Sequence, residues 1–302
     1  MCRVQIVFLG TGTPNALPEK SGPAWALLVD QQVYLFECGP GIVRRAETAA
    51  RLGYSSLSMK NLNKVFISHL HSDHTAGFAD LLLTPWVLGR ETALQVFGPS
   101  GMKRMTHHLL QAYQVDIQNR IYGAEQANVQ GIQVLCTEYK EGLVYEDDWI
   151  RVEAYPMQHP PFEAYGFRIT TPNGIICFSG DTAPCDGILR AAQECEVLIH
   201  EVYSHTGVQS RTPKWYRYHT SVHTSERELA TLVQQTRSRN VILTHQLWML
   251  GENESSSVQA QEQREREILQ YLSQVTTGKV FSAKDLDGFE LDSNGNVSFV
   301  KM

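Results

Sequence analysis

Three histidines and one aspartate lie within six residues of this chain. The segment reads His69-Leu70-His71-Ser72-Asp73-His74 and directly follows the apolar run at 65–68. A strand that ends in such a cluster delivers several side-chain donors to one point. Imidazole nitrogen and carboxylate oxygen are the ligands that a zinc-type ion prefers. The spacing therefore predicts a metal site in preference to a loop that is rich in histidine by chance.

Four further apolar runs end in a histidine or an acidic residue. These residues are His159, Asp181, His245 and the pair His200 and Glu201. Residues at strand ends are held by a rigid sheet and open to a crevice, which is the usual position of a site in layered α/β folds. Five coincidences in one chain, all with metal-competent side chains, indicate a shared site.

Short apolar strands alternate with helical patterns along the whole chain, punctuated by Gly, Pro and Asn. Strands are predicted at 3–9, 25–29, 33–38, 64–68, 94–98, 132–136, 150–157, 165–171, 174–179, 196–202 and 240–244, and helices at 41–52, 74–83, 101–114, 224–236 and 258–273. The pattern predicts an α/β fold, a four-layer αββα sandwich with the helices outside. We expect one domain over 1–302, built from two pseudo-symmetric halves of about 1–145 and 146–302.

Composition narrows the class of protein. The 302 residues are 42% hydrophobic and carry a formal net charge of −6. No Lys/Arg-rich run appears, which counts against a long polyanion as the main partner. No apolar run reaches the roughly 18 residues that span a bilayer, and the N-terminus lacks a signal-peptide pattern. Six cysteines without CxxC spacing are typical of reduced thiols. We therefore expect a cytoplasmic protein with no membrane partner.

With these motifs the chain resembles the metallo-β-lactamase-fold hydrolases, specifically the ribonuclease Z-like branch, which includes arylsulfatase-like members. The HxHxDH element is specific for the superfamily. The Gly-Thr-Gly element at 10–14 and the His200-Glu201 pair indicate the branch. Other matching segments are Phe36-Glu37-Cys38-Gly39-Pro40-Gly41, Ser179-Gly180-Asp181-Thr182, His223-Thr224-Ser225 and Thr244-His245. The resemblance extends over residues 10 to 245, which is most of the chain.

The resemblance implies a binuclear metal site. The implied ligands are His69, His71 and His159 for one ion, Asp73, His74 and His245 for the other, and Asp181 as a bridge. Two divalent ions are implied, most simply Zn²⁺, with Mn²⁺ or Fe as alternatives. The ions would share a bridging hydroxide that acts as the nucleophile at neutral pH. Asp73 is counted with the catalytic residues as well as with the ligands.

The resemblance also implies a general acid. His223 matches the position that protonates the leaving group, and Glu201 matches the acid that orients it. His219, four residues earlier in a similar sequence, is the alternative. We favour His223 because a helical pattern begins directly after it, where Thr224 can cap the helix.

Two departures from the family pattern bear on geometry and substrate. Glu37 stands where the family usually has Asp, and the extra methylene changes the reach of a carboxylate that supports the site. Only 21 residues separate His159 from Asp181, where true ribonuclease Z enzymes insert a tRNA-clamping arm. The two predicted strands between them leave no room for such an arm.

The stretch 203–218 is the main indication of a substrate. It combines aromatic and cationic residues, namely Tyr203, Arg211, Lys214, Trp215, Tyr216, Arg217 and Tyr218. Such a mixture suits a flat or anionic small molecule and can also stack single-stranded bases. An oligomer contact is an equally good interpretation, and related enzymes are often homodimers.

The leading prediction is a metal-dependent hydrolase of an ester-type bond in a small or medium-sized substrate. The bond would be a phosphodiester, a sulfate ester, or a carboxylic ester or lactone. The alternative is a ribonuclease Z-like nuclease that acts on RNA or DNA ends. A non-catalytic metal- or ligand-binding relative is a third possibility, and the complete set of seven ligands argues against it.

Overall fold

The computed structural model describes residues 2–251 and 258–300. The strands are β1 (Val4–Gly10), β2 (Ala24–Val29), β3 (Gln32–Phe36), β4 (Lys64–Phe66), β5 (Leu94–Gly98), β6 (Val134–Glu138), β7 (Gly142–Glu146), β8 (Arg151–Met157), β9 (Ala164–Thr171), β10 (Gly174–Phe178), β11 (Val197–Tyr203), β12 (Asn240–Leu247), β13 (Val280–Ser282), β14 (Gly288–Leu291) and β15 (Val297–Val300). The helices are α1 (Ile42–Arg51), α2 (Ser72–Thr75), α3 (Phe78–Val87), α4 (Met102–Ala112), α5 (Gln114–Tyr122), α6 (Asp186–Ala191), α7 (His205–Val208), α8 (Pro213–Val222), α9 (Glu226–Thr236) and α10 (Val258–Ser273). Two short 3-10 helices cover Ser55–Leu57 and Met59–Asn61.

Within the described residues the strands form two mixed sheets. The first has the order β15-β14-β1-β2-β3-β4-β5-β6, and the second has the order β13-β12-β11-β10-β9-β8-β7. The predicted α/β class with two sheets is confirmed, and every predicted strand overlaps an observed one. None of the helices in the described part of the chain is long and apolar enough to cross a membrane.

The strands β7 and β13–β15 and the helices α6, α7 and α8 were not predicted, and α5 lies beyond the predicted helix at 101–114 except for its first residue, Gln114. The unpredicted strands span only three to five residues, so they offer too few positions for an alternating pattern. On α8 only Val222 is buried, and a helix without a buried stripe has no apolar period to detect.

The chain divides into two compact units. The first contains the residues up to Lys140 together with 285–290 and the residues from Phe299 onward, and the second contains 141–284 and 291–298. The C-terminal residues thus return to the first unit, where Asp285 accepts hydrogen bonds from Thr11 and Ser21. That the two halves make one domain over 1–302 stays a prediction.

In the first unit a ladder of stacked aromatic rings aligns the central strands. Trp25, Phe36, Phe66 and Phe97 pair across β2, β3, β4 and β5, with ring centroids 4.3, 5.0 and 4.8 Å apart. Aromatic cross-strand pairs stabilise a sheet and pin its register. The ladder therefore fixes where β3 and β4 end. Glu37 follows β3 directly, and the HxHxDH segment begins three residues after the last residue of β4.

The core of the second unit lies between its sheet and the helices α6, α9 and α10. Ile188, Leu229 and Ile268 are buried there against Leu198 and Leu243 of the parallel strands β11 and β12. The two strands are buried along their whole lengths. A parallel sheet covered in this way holds the residues at its strand ends rigidly.

Arg90 is fully buried in the first unit, with an exposed fraction of 0%. Its guanidinium donates five hydrogen bonds to the carbonyls of Leu62, Leu81, Leu82 and Gly131. Burial lowers the pKa of Arg90 to about 10. The side chain thereby ties the middle of α3 to the two loops that carry Leu62 and Gly131.

Replacing Arg90 with Met should destabilise the protein strongly. The variant leaves four buried carbonyls without their donor, at a cost of about 1–3 kcal/mol for each unsatisfied group before relaxation. We expect the free energy of unfolding from urea titrations to fall by at least about 3 kcal/mol. Arg51→Met removes an exposed ion pair with Glu47 and should change stability by less than about 1 kcal/mol. Equal stability of the two variants would contradict this role of Arg90.

Candidate metal centre

The HxHxDH segment places two donor pairs in the first unit. His69 follows the short strand β4, and its Nε2 lies 3.0 Å from Nδ1 of His71. Ligands at about 2.0–2.1 Å from one ion can have this separation. Asp73 and His74 lie on the single turn of α2, where a carboxylate oxygen of Asp73 is 3.5 Å from His74 Nε2. All four are buried except His71, which is partly exposed.

The loop after β3 contacts the HxHxDH segment through the side chain of Glu37. Glu37 is fully buried and has a left-handed backbone with φ of 63°. Its carboxylate accepts a hydrogen bond from the Ser68 backbone and lies 3.3 Å from Nδ1 of His74. Strained backbone of this kind costs about 1–3 kcal/mol and persists where the surroundings impose it. The Glu37 side chain therefore reaches a candidate ligand despite its extra methylene.

Close backbone contacts explain why the predicted helix at 74–83 is broken into α2 and α3. The Gly77 N–H donates to Cys38 O, and the Cys38 N–H donates to His74 O. A Cβ on Gly77 would lie 2.2 Å from Gly39 O. Only glycine allows this approach, and the approach holds α2 beside the loop that carries Glu37.

In the second unit, His159 and Asp181 are brought together by pairing between their loops. Gln158, next to His159, donates its N–H to Thr182 Oγ1 and accepts a bond from the Ala183 N–H. The candidate ligand atoms of His159 and Asp181 lie within 4.8 Å of each other, and both residues are buried. Thr182 is a supporting residue that sequence reasoning missed, although it directly follows Asp181.

His245 lies within β12 and not at its end. Thr244 pairs with Glu201, but Val202 pairs with Gln246, so His245 is the extra residue of a β-bulge. Its φ is 45°, in the left-handed region. A bulge re-aims one side chain within a regular ladder. The sequence run that ends at Thr244 indicated His245 as a candidate, but the backbone feature that orients it was not predictable.

Asp181, His223 and His245 form a buried cluster in the second unit. A carboxylate oxygen of Asp181 lies 3.6 Å from His245 Nε2 and 4.0 Å from His223 Nδ1. Their candidate ligand atoms all lie within 4.8 Å of one another. The structure thus brings Asp181 together with two of the predicted site histidines.

Glu201 and His223 form a close pair. His223 Nδ1 lies 2.9 and 3.0 Å from the two carboxylate oxygens of Glu201, and both residues are buried. Glu201 also accepts a bond of 2.9 Å from the Thr182 N–H. A carboxylate on Nδ1 fixes the tautomer and leaves Nε2 for chemistry. Glu201 lies inside β11, which continues to Tyr203, and not at a strand end.

The capping residue of the following helix differs from the prediction. Ser225, and not Thr224, is the N-cap of α9, and it forms a capping box with Glu228. The Thr224 hydroxyl instead donates to Thr182 O over 2.6 Å. Thr224 therefore ties the His223 backbone to the loop that carries Asp181.

His219 and His200 differ in burial, and both have a lowered pKa. His219, on α8, stacks on His223 with ring centroids 5.8 Å apart. Burial, followed by the nearby His223 and Arg211, lowers its pKa to about 4. His200 is fully buried, its Nδ1–H donates to Glu201 O over 2.6 Å, and burial lowers its pKa to about 4. This hydrogen bond holds the His200 ring next to Glu201, which is itself paired with His223.

A cavity of about 490 Å³ opens beside Asp73 in the first unit. It is lined by the turn after β1, including Thr13 and Asn15, and by Lys20, Ser21 and Gly41. The Gly12 N–H donates to Ser21 O and joins the two ends of this loop. The Gly-Thr-Gly element therefore begins a loop at the edge of a cavity that reaches a candidate ligand.

The donors of each unit fit a divalent metal ion. They are imidazole nitrogens and carboxylate oxygens, held close together and buried, with carboxylates or hydroxyls behind several of them. Such groups cost free energy to bury unless they are paired or bind an ion. In metal sites, a carboxylate or another polar group typically forms a hydrogen bond to each metal-binding side chain and orients it.

Comparisons with known proteins agree with this chemistry. The family model described as the beta-lactamase superfamily domain matches residues 32–246. A protein named ribonuclease Z from Mycobacterium bovis (strain BCG / Pasteur 1173P2) is 31% identical over 257 residues, which cover 82% of this chain and 88% of that protein.

Two solved structures share the fold over nearly the whole chain. The metallo-beta-lactamase fold protein YhfI from Bacillus subtilis has a TM-score of 0.68 and 15% identity, and the match covers 95% of this chain and 99% of that one. A diphosphatase from the PhnP family has a TM-score of 0.60 and 15% identity, with 95% and 97% covered.

Removing the buried imidazole of His200 should reduce the loss of stability in acid. Between pH 6.5 and about 4 the unfolded chain protonates His200 and the folded protein does not, so stability falls as the pH falls through this window. His200→Asn keeps a donor for Glu201 O but cannot take up the proton. We expect its free energy of unfolding to fall less steeply, by up to about 1.4 kcal/mol per pH unit.

The measurement is a set of urea titrations at several pH values on samples of equal metal content. His108→Asn removes an exposed imidazole of α4 and should keep the wild-type slope. Parallel slopes for His200→Asn and the wild type would show that His200 is not kept neutral by the fold.

Proposed function

The chain belongs to the metallo-β-lactamase superfamily, in its ribonuclease Z-like branch, and we propose that it is a binuclear metal-dependent phosphodiester hydrolase. The observation that carries this proposal is the buried cluster of Asp181, His223 and His245, with Glu201 directly behind His223. This cluster combines ligands with a supported imidazole, which is what metal-assisted ester hydrolysis requires.

We assign the metal ligands as the family resemblance implies. His69, His71 and His159 would hold one ion, Asp73, His74 and His245 the other, and Asp181 would bridge them. Burial and the donor spacing within each unit support the assignment. When bound, the two ions would supply a nucleophilic hydroxide at neutral pH and polarise the ester. Zn²⁺ is our first choice, because nitrogen ligands outnumber oxygen ligands.

His223 is the group we propose to protonate the departing oxygen. Its Nδ1 faces the Glu201 carboxylate at 2.9 Å, so Nε2 is the nitrogen that carries the exchanged proton. Glu201 is a positioning residue, held by the Thr182 N–H and fully surrounded by protein. We propose Asp73 as a ligand that also borders the substrate cavity.

A phosphodiester is the bond we favour among the ester types. The relative is named ribonuclease Z, a nuclease name that denotes phosphodiester cleavage, and the fold neighbour is named a diphosphatase, which denotes cleavage at a phosphate group. Neither name gives support to sulfate esters, carboxylic esters or lactones. A small or medium-sized substrate agrees with the net charge of −6. It also agrees with the short link between β9 and β10, which leaves no clamping arm between His159 and Asp181.

The alternative is a nuclease that acts on RNA or DNA ends, as the name of the curated relative suggests. Phosphate contacts would make binding of RNA fall steeply with salt. A gel shift with a structured RNA at increasing ionic strength therefore separates the two proposals.

We also propose a homodimer in the cytoplasm, as expected for this branch.

Asp181→Ala should lower both metal content and activity. The loss of the bridging carboxylate removes a ligand from each proposed ion. We expect two metal ions per chain in the loaded wild type by plasma mass spectrometry, fewer in the variant, and at least a 100-fold lower rate on a chromogenic phosphodiester. Asp186→Ala, at an exposed site on α6, is the matched control. Fewer than two ions in the wild type would contradict the binuclear proposal, and an unchanged rate in Asp181→Ala would contradict the bridge.

His223→Ala should slow the reaction most for substrates with poor leaving groups. A general acid typically contributes about 10²–10⁴-fold, and a good leaving group needs it least. The measurement is kcat/KM over a series of phosphodiesters of graded leaving-group pKa. Glu201→Gln should show the same trend more weakly, and His219→Ala should keep the wild-type trend. A steeper trend for His219→Ala than for His223→Ala would assign the acid to His219.

A further inference from the structure

Helix α8 presents an aromatic face next to the proposed general acid. Trp215, Tyr218 and His219 are spaced three and four residues apart and therefore lie on one side of the helix. The side chains of Trp215 and Tyr218 are 48% and 37% exposed. The helix ends at its C-cap His223, so this face leads directly to the imidazole that we propose to protonate the leaving group.

Four of the rings form a continuous stack. The ring centroids of Trp215 and His219, of His219 and His223, and of His223 and His245 are each 5.8 Å apart, at interplanar angles of 27–29°. Tyr218 contacts Trp215, His219 and His223 edge-on at 5.7, 5.2 and 6.2 Å. The stack places aromatic surface at one end and the Asp181 cluster at the other.

Cationic groups border the same face. Arg211 is half-buried and close enough to His219 to lower its pKa. Within the described residues its Nε is buried without a hydrogen-bond partner, and its guanidinium makes no ion pair. Lys214 Nζ lies 5.5 Å from the centre of the Trp215 ring. A buried donor of this kind is costly unless a ligand engages it, and a guanidinium suits an anionic oxygen.

We propose that the face formed by Trp215, Tyr218 and His219 binds a planar aromatic group on the leaving-group side of an anionic ester, with Arg211 as its counter-charge. The proposal rests on the proposed function, because it takes His223 as the group that faces the leaving oxygen. It narrows the substrate class to esters of aromatic or nucleoside-like alcohols, since stacking favours planar groups over saturated ones.

Charge argues against a second copy of the chain as the occupant of this face. A two-fold contact brings one patch against itself. Arg211 and Lys214 would then approach their own copies, and like charges in such a contact are unfavourable. An anionic ligand meets the same two cations with the opposite sign of interaction.

Two phosphate monoesters of matched size test the proposal by binding alone. Benzyl phosphate and cyclohexylmethyl phosphate differ in whether the ring is planar and aromatic. We expect titration calorimetry on the metal-loaded wild type to give benzyl phosphate an affinity at least about fivefold higher. Tyr218→Ala and Trp215→Ala should abolish this preference, and Arg211→Gln should weaken both ligands alike.

Tyr216→Ala is the matched control. Tyr216 lies on the same helix and, like Tyr218, is 37% exposed, but in the described structure it makes no ring contact with Trp215, His219 or His223. This variant should keep the wild-type preference. In turnover, benzyl methyl phosphate should be preferred over cyclohexylmethyl methyl phosphate in kcat/KM, with the preference lost in Tyr218→Ala.

The outcomes separate this inference from the proposed function. Equal affinity of both monoesters in the wild type would overturn the inference even if phosphodiesters are hydrolysed. A preference that survives in Tyr218→Ala and Trp215→Ala would also overturn it, and dissociation of a dimer by those variants in sedimentation would identify the face as an oligomer contact. A preference lost in those variants supports the aromatic site even if no phosphodiester is hydrolysed, in which case only the proposed function fails.

Discussion

Holding imidazoles and carboxylates away from water, close together, is the constraint on which the rest of this structure depends. Buried polar groups of this kind cost free energy unless each is paired or bound to an ion. The protein meets the constraint with paired neighbours, such as Glu37 near His74 and Glu201 on His223. Both carboxylates lie on rigid strands or directly after them. The sheets therefore serve mainly to fix the polar groups.

Two of the buried polar residues have a left-handed backbone conformation, at the end of one strand and within another. Glu37 and His245 have φ of 63° and 45°, and His245 occupies a bulge between β11 and β12. Such conformations persist only where the surrounding structure holds them. Here the aromatic ladder of the first sheet and the buried parallel strands of the second provide that rigidity. The strained backbone at these two residues therefore depends on the rigidity of the two sheets.

The proposed metal site and the proposed substrate-binding face come from different parts of the chain. The candidate ligands follow core strands or, in the case of His245, lie within one. The aromatic face of α8 lies on an exposed helix whose sequence is not restrained by packing, since only Val222 of that helix is buried. A surface helix can change its residues with little cost to folding. In this chain, that freedom is used for rings and cations beside His223.

From the sequence alone, the motifs indicated the superfamily by resemblance, and the alternation of strands and helices predicted the two-sheet α/β class. Apolar runs that end in metal-competent side chains indicated the candidate residues, because such runs are a local signal. The same signal misplaced residues within elements: His245 and Glu201 lie inside strands, and Ser225 caps α9 in place of Thr224. Tertiary structure decided the bulge at His245, the reach of Glu37 to His74 and the stack from Trp215 to His245. Each of these depends on contacts between segments distant in sequence, which no local pattern encodes.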